Sequence, residues 1–328
     1  MRNKKWVFSL LVLLDLLAKG SVWAQTPYPN HPVALVIPFA AGGDADQFGR
    51  ALAKSVDKLS QTLTFVISNQ VGKSGGVASL AVRNAPADGY TLMAGRVGTH
   101  AILPALDPST PYKFGEFTTL AILELDPLIC AVRANSAYHS ARDLLTAIRT
   151  QPGALKFSTS GPGTILNFAA LYLMSIAGLP DTAAVGVHFD GGMQAVEALV
   201  EGKVDFTCAV ASTVASMVRN GKLRGLFTTA PGRMEAFPNV PNAREAGYRD
   251  MSNIVGWTAL MAPAGLPDGV VQHWKQLLQK VAKDPEWLAS NQRLGGQPAI
   301  RLIARPQQYV QEQYTFYQQL ALTIKMPP

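Results

Sequence analysis

The feature that most constrains this chain is a repeating local pattern, in which a short apolar segment runs into a turn of small residues. The pattern appears first in "VALVIPF" (33–39), "LTFVISN" (63–69) and "YTLMAG" (90–95), and again in "LKFSTS" (155–160), "AVGVHF" (184–189) and "VDFTCAV" (204–210). Apolar runs rich in β-branched residues are typical of buried strands, and helical spacing of apolar residues follows most of the turns. This alternation predicts parallel, doubly wound α/β sheets, whose ligands bind beyond the carboxyl ends of the strands.

The strands fall into two sets, which predicts two lobes. Two longer apolar stretches, "TTLAILELDPLICAV" (118–132) and "NIVGWTALMAP" (253–263), separate the sets and are interpreted as strands that pass from one lobe to the other. The tail from Pro267 is predicted to be helical and to cover the first lobe. Its apolar face comprises Val271, Trp274, Leu277, Leu278 and Val281. Two crossings with a cleft between them favour a solute trap that closes by hinge motion.

The first 24 residues are typical of a secretory signal peptide. Basic residues at Arg2, Lys4 and Lys5 precede an apolar run from Trp6 to Ala18, and Ala24 ends a small-residue cleavage site. An uncleaved anchor is the alternative, although the run is short for a membrane span. The protein is therefore predicted to be periplasmic and soluble, with a mature chain that begins at residue 25.

Composition excludes several classes of protein. Of 328 residues, 48% are hydrophobic and 16% charged, which supports a sizeable core. The formal charge of +7 includes the basic signal segment, so the remainder carries no charge typical of a nucleic-acid-binding protein. The five histidines lack metal-binding spacing, and neither a phosphate-binding loop nor a nucleophile elbow is present. The sequence thus predicts no metal, no cofactor and no enzymatic activity.

A secreted hydrolase of small esters is the alternative from another functional class. It would require a nucleophile with a base that a third group orients. Thr99 and His100 form the one adjacent hydroxyl–imidazole pair, and no motif supplies the remaining group.

The turn after the first strand carries two acids that are unexpected at an anion site. Gly42 and Gly43 allow a ligand to approach the backbone, yet Asp44 and Asp46 follow immediately. Asp44 is interpreted as a helix N-cap with Gln47 three residues later, and Asp46 as a first-turn acid that the helix dipole favours. Direct contact of Asp44 with a ligand is the alternative, and it would require a donor group on that ligand.

Several segments resemble the Bug family, the extracytoplasmic solute-binding proteins of tripartite tricarboxylate transporters. They are "YPNHPVALVIPFAAGG", "ADGYTLMAG", "GTHAILPAL", "GKLRGLFTT", "FPNVPNAREAGY" and "GWTALMAPAGLP", in order along the whole mature chain. The resemblance implies a type II periplasmic-binding fold that captures an organic acid and delivers it to a membrane permease. The expected lobes are 25–124 plus 254–328 and 125–253, after a signal peptide at 1–24. The chain is expected to act as a monomer.

The family's turns hold a ligand carboxylate through backbone groups and ordered water, which implies a set of binding residues here. In the first lobe the candidates are Phe39, Ala40, Gly43, Asp44, Asp46, Arg96, Thr99 and His100. In the second lobe they are Ser158, Ser160, Gly163, Thr164 and Asp190. Two alternatives stay open: a hydrogen-bonded corner is the more common role for a pair such as Thr99 and His100, and an N-cap is the more common role for Asp190.

Departures from the family pattern bear on the ligand. Ala209-Val210 replaces a common Asp-Asn, which removes an acid that could pair with an ammonium group. Arg96 stands where a small hydroxyl or amide residue is usual. Its guanidinium could bind a second carboxylate or stack on an aromatic ring, which favours a dicarboxylate or an aromatic acid such as terephthalate. Alternatively, Arg96 forms a salt bridge with Asp44 or Asp46.

The sequence leaves open whether the two cysteines are bonded and whether the bound solute is transported or sensed. In the type II strand order Cys130 and Cys208 lie on neighbouring strands, where they could form a disulfide or remain buried thiols. The bound protein could equally signal to a sensor instead of a permease.

Overall fold

A computed structural model describes residues 28–60 and 62–324, and the side chains up to residue 322. The predicted signal peptide and its cleavage site lie outside the described residues. Within the described part, no helix is both long enough and apolar enough to cross a membrane.

Helices and strands alternate as the sequence predicts. The strands are β1 (Val33–Ile37), β2 (Phe65–Asn69), β3 (Thr91–Arg96), β4 (Phe117–Arg133), β5 (Lys156–Thr159), β6 (Val185–His188), β7 (Phe206–Val210), β8 (Leu223–Thr228), β9 (Val255–Pro263) and β10 (Gln297–Pro298). The helices are α1 (Asp44–Leu59), α2 (Gly76–Arg83), α3 (Leu103–Leu106), α4 (Ala141–Thr150), α5 (Ile165–Ile176), α6 (Gly192–Val200), α7 (Ala211–Arg219), α8 (Asp268–Val281), α9 (Pro285–Leu294) and α10 (Pro306–Ile324). A π-helical turn, Gly98–Ile102, precedes α3.

The strands form two sheets that share β4. The first lobe has the order β2-β1-β3-β9-β4, and the second has β4-β7-β5-β6 with β8 also against β4. Strands β1, β2 and β3 pair in parallel, as do β5, β6 and β7, whereas β9 runs antiparallel to β3 and β4. This is the doubly wound type II architecture.

One predicted crossing needs correction. β4 pairs with β9 from Phe117 to Pro127 and with β7 from Leu128 to Val132, so it does pass from one sheet to the other. β9 lies wholly in the first sheet, and its first residue, Val255, pairs with Pro127. The chain therefore returns through the segment before β9 rather than through the strand itself.

Both faces of the first sheet are buried, which explains its continuous apolar strands. Val33, Leu35 and Ile37 of β1 pack into one core, and Val36 between them packs into the other. Helix α8 covers the first lobe as predicted, with Trp274, Leu277, Leu278 and Val281 inside. Val270 is buried with them, whereas Val271 is only half-buried.

A disulfide joins the second lobe to the shared strand. Cys130 of β4 and Cys208 of β7 are directly opposite in the antiparallel ladder, and their sulfur atoms are bonded. Both residues are fully buried. Of the two open alternatives, the structure contains the bonded one.

Candidate functional site

The turns at the carboxyl ends of the two sheets meet each other. A Cβ atom built on Gly98 would lie 3.3 Å from the carbonyl oxygen of Gly163 and 3.3 Å from the Cα of Thr164. A Cβ built on Gly161 would collide with the hydroxyl of Ser74, and one on Gly163 with Leu103. Only glycine allows this approach, so the small residues of the turns are explained by lobe-to-lobe contact.

The first-lobe turn runs from Phe39 to Asp46 and contains one correction. Gly42 adopts φ = +81°, a left-handed conformation that favours glycine. Helix α1 begins at Asp44 with Gly43 as its N-cap, so Asp44 is not the cap that the sequence suggested. Gly43 N–H donates to the Ala40 carbonyl at 3.3 Å, and Ala40 faces Gly191 of the second lobe.

Asp46 braces this turn from within. Its Oδ2 accepts from Gly42 N–H at 2.9 Å and from Arg50 Nε at 2.8 Å. Its Oδ1 accepts from Asn69 Nδ2 at 3.1 Å, and the same amide donates to the Phe39 carbonyl at 2.9 Å. Burial opposes ionisation, but the donors from Arg50, Gly42 and Asn69 lower the pKa of Asp46 below its usual value. All of these partners belong to the protein, which indicates a structural role.

Arg96 is buried and its guanidinium already has partners. Its Nη2 donates to Asp44 Oδ2, and its Nη1 donates to Thr258 Oγ1 at 2.6 Å and lies 3.6 Å from Glu124 Oε1. Of the two roles that the sequence left open, the structure shows the salt bridge with Asp44.

Two further carboxylates complete what we call the Arg96 cluster (Asp44, Arg96, Glu124 and Asp126). Glu124 and Asp126 lie on β4 and are fully buried. Glu124 Oε1 accepts from Thr258 Oγ1 at 2.5 Å, while its Oε2 has no hydrogen-bond partner within the described part of the chain. Burial, together with neighbouring Asp126, raises the pKa of Glu124 well above its usual value.

Asp126 connects this cluster to the second lobe. Its Oδ2 accepts from the Ser212 hydroxyl and its Oδ1 from Ser212 N–H at 3.3 Å, at the first turn of α7. Burial raises the pKa of Asp126 to about 7, against the opposing effects of the Ser212 hydrogen bond and of Arg96. The cluster therefore sits where β4 passes between the lobes.

Thr99 and His100 form an enclosed corner. Both are fully buried, and Thr99 Oγ1 lies 2.7 Å from His100 Nδ1 and accepts from Arg96 N–H at 3.0 Å. The His100 ring packs edge-on against Phe117, with centroids 4.5 Å apart. Burial lowers the pKa of His100 to about 3, so the imidazole is neutral. The pair matches the hydrogen-bonded corner that was one of its two predicted roles.

The second-lobe turn is built from hydroxyls without charge. The Thr164 hydroxyl donates to the Gly161 carbonyl at 2.7 Å, which fixes the turn around Gly163. Ser160 is buried at its start. Ser158 is fully buried, and its Oγ has no hydrogen-bond partner among the described residues. Ser158 therefore has a buried polar group that is free to bind a ligand.

Asp190 is not the helix N-cap that was one of its two predicted roles. Helix α6 begins at Gly192 and its N-cap is Gly191. Asp190 precedes the cap, and its side chain is exposed. Any contact of Asp190 with a ligand remains a prediction.

Two polar residues at the site were missed in the sequence. Thr213 is buried in the first turn of α7, and Gln194 lies in the first turn of α6. Thr213 Oγ1 and Gln194 Oε1 are buried, and neither atom has a hydrogen-bond partner in the residues that the structure describes. A Cβ built on Gly192 would lie 3.3 Å from Thr213 Oγ1 and 3.3 Å from Asp44 Oδ1, so residues from both lobes converge there. Their position in the sequence could have identified them, because both residues follow the end of a predicted strand by a few residues. Glu124 and Asp126 could have been identified because the two acids of "ELD" interrupt an otherwise apolar strand.

A surface groove of about 1090 Å³ lies elsewhere, against the first lobe. It runs between α8 and the segment at 300–308, and four cations line it, namely Lys275, Lys283, Arg301 and Arg305. None of the predicted site residues lines this groove, and the second lobe takes no part in it. Among the described residues, no group of His, Cys, Asp and Glu is arranged to hold a metal ion.

Two lobes that share one strand and meet at polar and glycine turns define a solute-binding protein of the periplasmic type. The model of the tripartite tricarboxylate transporter family receptor matches residues 48–321, and the chain belongs to this family. The BugT protein of Bordetella pertussis is 29% identical over 289 residues, which cover 86% of this chain and 84% of BugT.

Solved structures agree with this assignment. MatC from Rhodopseudomonas palustris with bound malate is 28% identical and superposes with a TM-score of 0.84, covering 89% of this chain and 99% of MatC. The periplasmic binding protein BugD, at 24% identity and a TM-score of 0.85, covers 92% of this chain and 99% of its own, and it supports the fold.

Proposed function

We propose that the protein captures an organic carboxylate between its lobes and delivers it to the membrane permease of a tripartite transporter. The observation that carries the proposal is a pair of buried hydroxyls without a hydrogen-bond partner among the described residues, Ser158 Oγ on β5 and Thr213 Oγ1 in the helix turn that follows the neighbouring strand β7. Buried polar groups normally have hydrogen-bond partners, so such atoms in a cleft point to a ligand.

The surroundings suit an anion. Helices α1 and α6 begin at the meeting point of the lobes, and their first backbone N–H groups favour negative charge. Hydroxyl groups can donate to carboxylate oxygens, and bridging water can complete the contacts. Among the candidates of the first lobe, Phe39, Ala40 and Gly43 would act through their backbone groups.

The proposed ligand class is a dicarboxylate or an aromatic acid such as terephthalate, without a free ammonium group. Ala209 and Val210 are buried and aliphatic at the end of β7, so no acid there would pair with an ammonium. The malate complex of MatC supports a dicarboxylate. Arg96 no longer contributes to this argument, because Asp44 and Thr258 occupy its guanidinium.

A thermal-shift screen against mono- and dicarboxylates tests the proposal, followed by calorimetric titration of each acid that raises the melting temperature. A ligand at 100-fold over its dissociation constant adds about 2.7 kcal/mol to the free energy of unfolding. Absence of any stabilising carboxylate would refute the proposed function. Tight binding of amino acids would refute the argument from Ala209 and Val210.

A matched pair of acids also tests the position of Arg96. If Arg96 braces Asp44, Arg96→Ala weakens a dicarboxylate and its matched monocarboxylate by similar factors, because the disturbed loop is common to both. A loss of roughly 2–5 kcal/mol in the binding free energy of the dicarboxylate alone would indicate that Arg96 contacts the ligand.

Export and delivery form the second part of the proposal. The mature chain, with lobes at 25–124 plus 254–328 and at 125–253, would act as a periplasmic monomer after cleavage behind Ala24. Intact mass of the protein recovered from the periplasm tests the cleavage. Loss of solute uptake on deletion of the protein supports transport, whereas an unchanged uptake with a lost transcriptional response would favour the sensor alternative.

A further inference from the structure

We propose that Asp44 makes the site selective for hydroxylated carboxylates, by accepting a hydrogen bond from a hydroxyl group of the ligand. The inference rests on the proposed function and names the ligand chemistry within it. It starts from the position of Asp44, which belongs to the first lobe and faces the second.

The two oxygens of Asp44 have different surroundings. Oδ2 accepts from Arg96, which fixes the carboxylate in place. Oδ1 has no hydrogen-bond partner among the described residues, and it lies 3.3 Å from the Cβ position of Gly192 at the start of α6. The Asp44 side chain as a whole is 10% exposed.

The facing residue of the second lobe is Thr213. Its Oγ1 lies 3.3 Å from the same Cβ position of Gly192 and also has no partner. A ligand at this point would meet a hydroxyl and a carboxylate oxygen together. A hydroxyl can donate or accept, whereas an ionised carboxylate can only accept.

A ligand with carboxylate groups alone would satisfy Thr213 and Ser158 but not Asp44. Its oxygens accept hydrogen bonds, and lobe closure would leave Asp44 Oδ1 without a donor. An unsatisfied buried acceptor costs the full desolvation of that group, and the cost is larger for a charged one. A hydroxyl beside the ligand carboxylate supplies the missing donor.

The donor is a neutral hydroxyl rather than an ammonium for two reasons. Arg96 neutralises the charge of Asp44, so the pair offers a hydrogen-bond acceptor with little net charge. The remaining acids nearby have partners of their own, Ser212 for Asp126 and Thr258 for one oxygen of Glu124. An ammonium would lose its hydration, while the charge of the acid that it would meet, Asp44, is already paired with Arg96.

Calorimetric titration of the wild-type protein with L-malate, D-malate and succinate gives the direct test, because these acids differ in one hydroxyl. We expect one malate enantiomer to bind about 10- to 100-fold more tightly than succinate, the range for one hydrogen bond to a charged group. Equal affinities for succinate and both malates would overturn the inference while leaving the carboxylate function intact. Absence of binding by any carboxylate would refute both.

Aspartate, which carries an ammonium in place of the hydroxyl, separates the two donors. Tighter binding of aspartate than of malate would also overturn the inference.

The double variant Asp44→Ser/Arg96→Ser tests the residue itself. It removes both members of the ion pair, so neither is left buried alone. We expect the ratio of succinate to malate dissociation constants to fall to within about threefold of unity. Asp57→Ser, which removes an exposed carboxylate of the same helix, should keep the wild-type ratio. A ratio that survives in the double variant would assign the selectivity to another residue.

Discussion

The turns of the two lobes hold the same place in their sheets but differ in chemistry. The first-lobe turn is fixed by charge, through Asp46 with Arg50 and Asp44 with Arg96. The second-lobe turn has no charged member and is fixed by hydroxyls, as in the bond from Thr164 to Gly161. The difference indicates that ion pairs fix the first-lobe turn, whereas the second-lobe turn keeps a spare hydroxyl at Ser158, which we propose contacts the ligand.

Removal of Arg96 should break the first-lobe turn and give the largest effect on stability. Arg96→Ala leaves Asp44 buried beside Glu124 and Asp126 without a cation, and the loss of one partner from a buried ion pair costs about 3–5 kcal/mol. Urea unfolding followed by circular dichroism measures this loss.

Arg50→Ala is the matched control in the same turn, because Arg50 is exposed and its pair with Asp46 should contribute less than about 1 kcal/mol. Similar losses in the two variants would contradict the inference that the buried pair of Arg96 and Asp44 fixes the first-lobe turn.

Loss of the disulfide should weaken the second lobe, whose turn lacks ionic braces. The bond closes a loop with a sequence separation of 78. Cys130→Ala/Cys208→Ala should therefore lower the free energy of unfolding by about 2–4 kcal/mol, mainly by releasing the unfolded chain. Chemical denaturation of the variant and of the wild-type protein measures the difference. A loss below about 1 kcal/mol would show that the hydrogen-bonded pairing of β4 and β7 stabilises the second lobe without the disulfide.

The pH dependence of stability should report the protonation of Asp126, the residue that connects the Arg96 cluster to the second lobe. Burial raises the pKa of Asp126 to about 7, so the folded protein holds a proton that the unfolded chain has released above about pH 4. Stability then falls as pH rises from about 4 to 7, by up to about 1.4 kcal/mol per pH unit for one proton.

Asp126→Asn should flatten this slope, since the amide oxygen can still accept from Ser212. Exposed Asp57→Asn should leave it unchanged. Denaturation midpoints of both variants at several pH values test this expectation. If Asp126→Asn keeps the wild-type dependence of stability on pH, that dependence belongs to Glu124 or another group.

The smallest effect concerns the spare hydroxyl of the second-lobe turn. Ser158→Ala removes a group without a protein partner, so the free energy of unfolding should change by less than about 0.5 kcal/mol. Affinity for the bound carboxylate should fall by about 1 kcal/mol, a factor of roughly five, as one hydrogen bond is lost.

Exposed Ser216 lies in the same lobe, and Ser216→Ala should alter neither quantity. A stability loss in Ser158→Ala without a change in affinity would reverse the assignment of this residue.

The sequence alone determined the sheet class, the turns that face each other and every strand except β8 and β10. Buried strands and amphipathic helices are local patterns, and each turn follows a strand end, so "VALVIPFAAGG" and "LKFSTSGPG" each predict a buried strand that runs into a turn. The resemblance of segments across the whole chain predicted the family, which the match over residues 48–321 confirms.

Tertiary structure decided which side chains meet. Asp44 and Arg96 are 52 residues apart, and Arg96 and Thr258 are 162 apart, so no local pattern could choose the salt bridge over contact with a ligand. The disulfide likewise depended on the register that places Cys130 opposite Cys208. Local sequence sets backbone preference and burial, whereas partners of buried polar groups depend on how distant strands align. That is the physical reason why Thr213, Glu124 and Asp126 entered the site only with the fold.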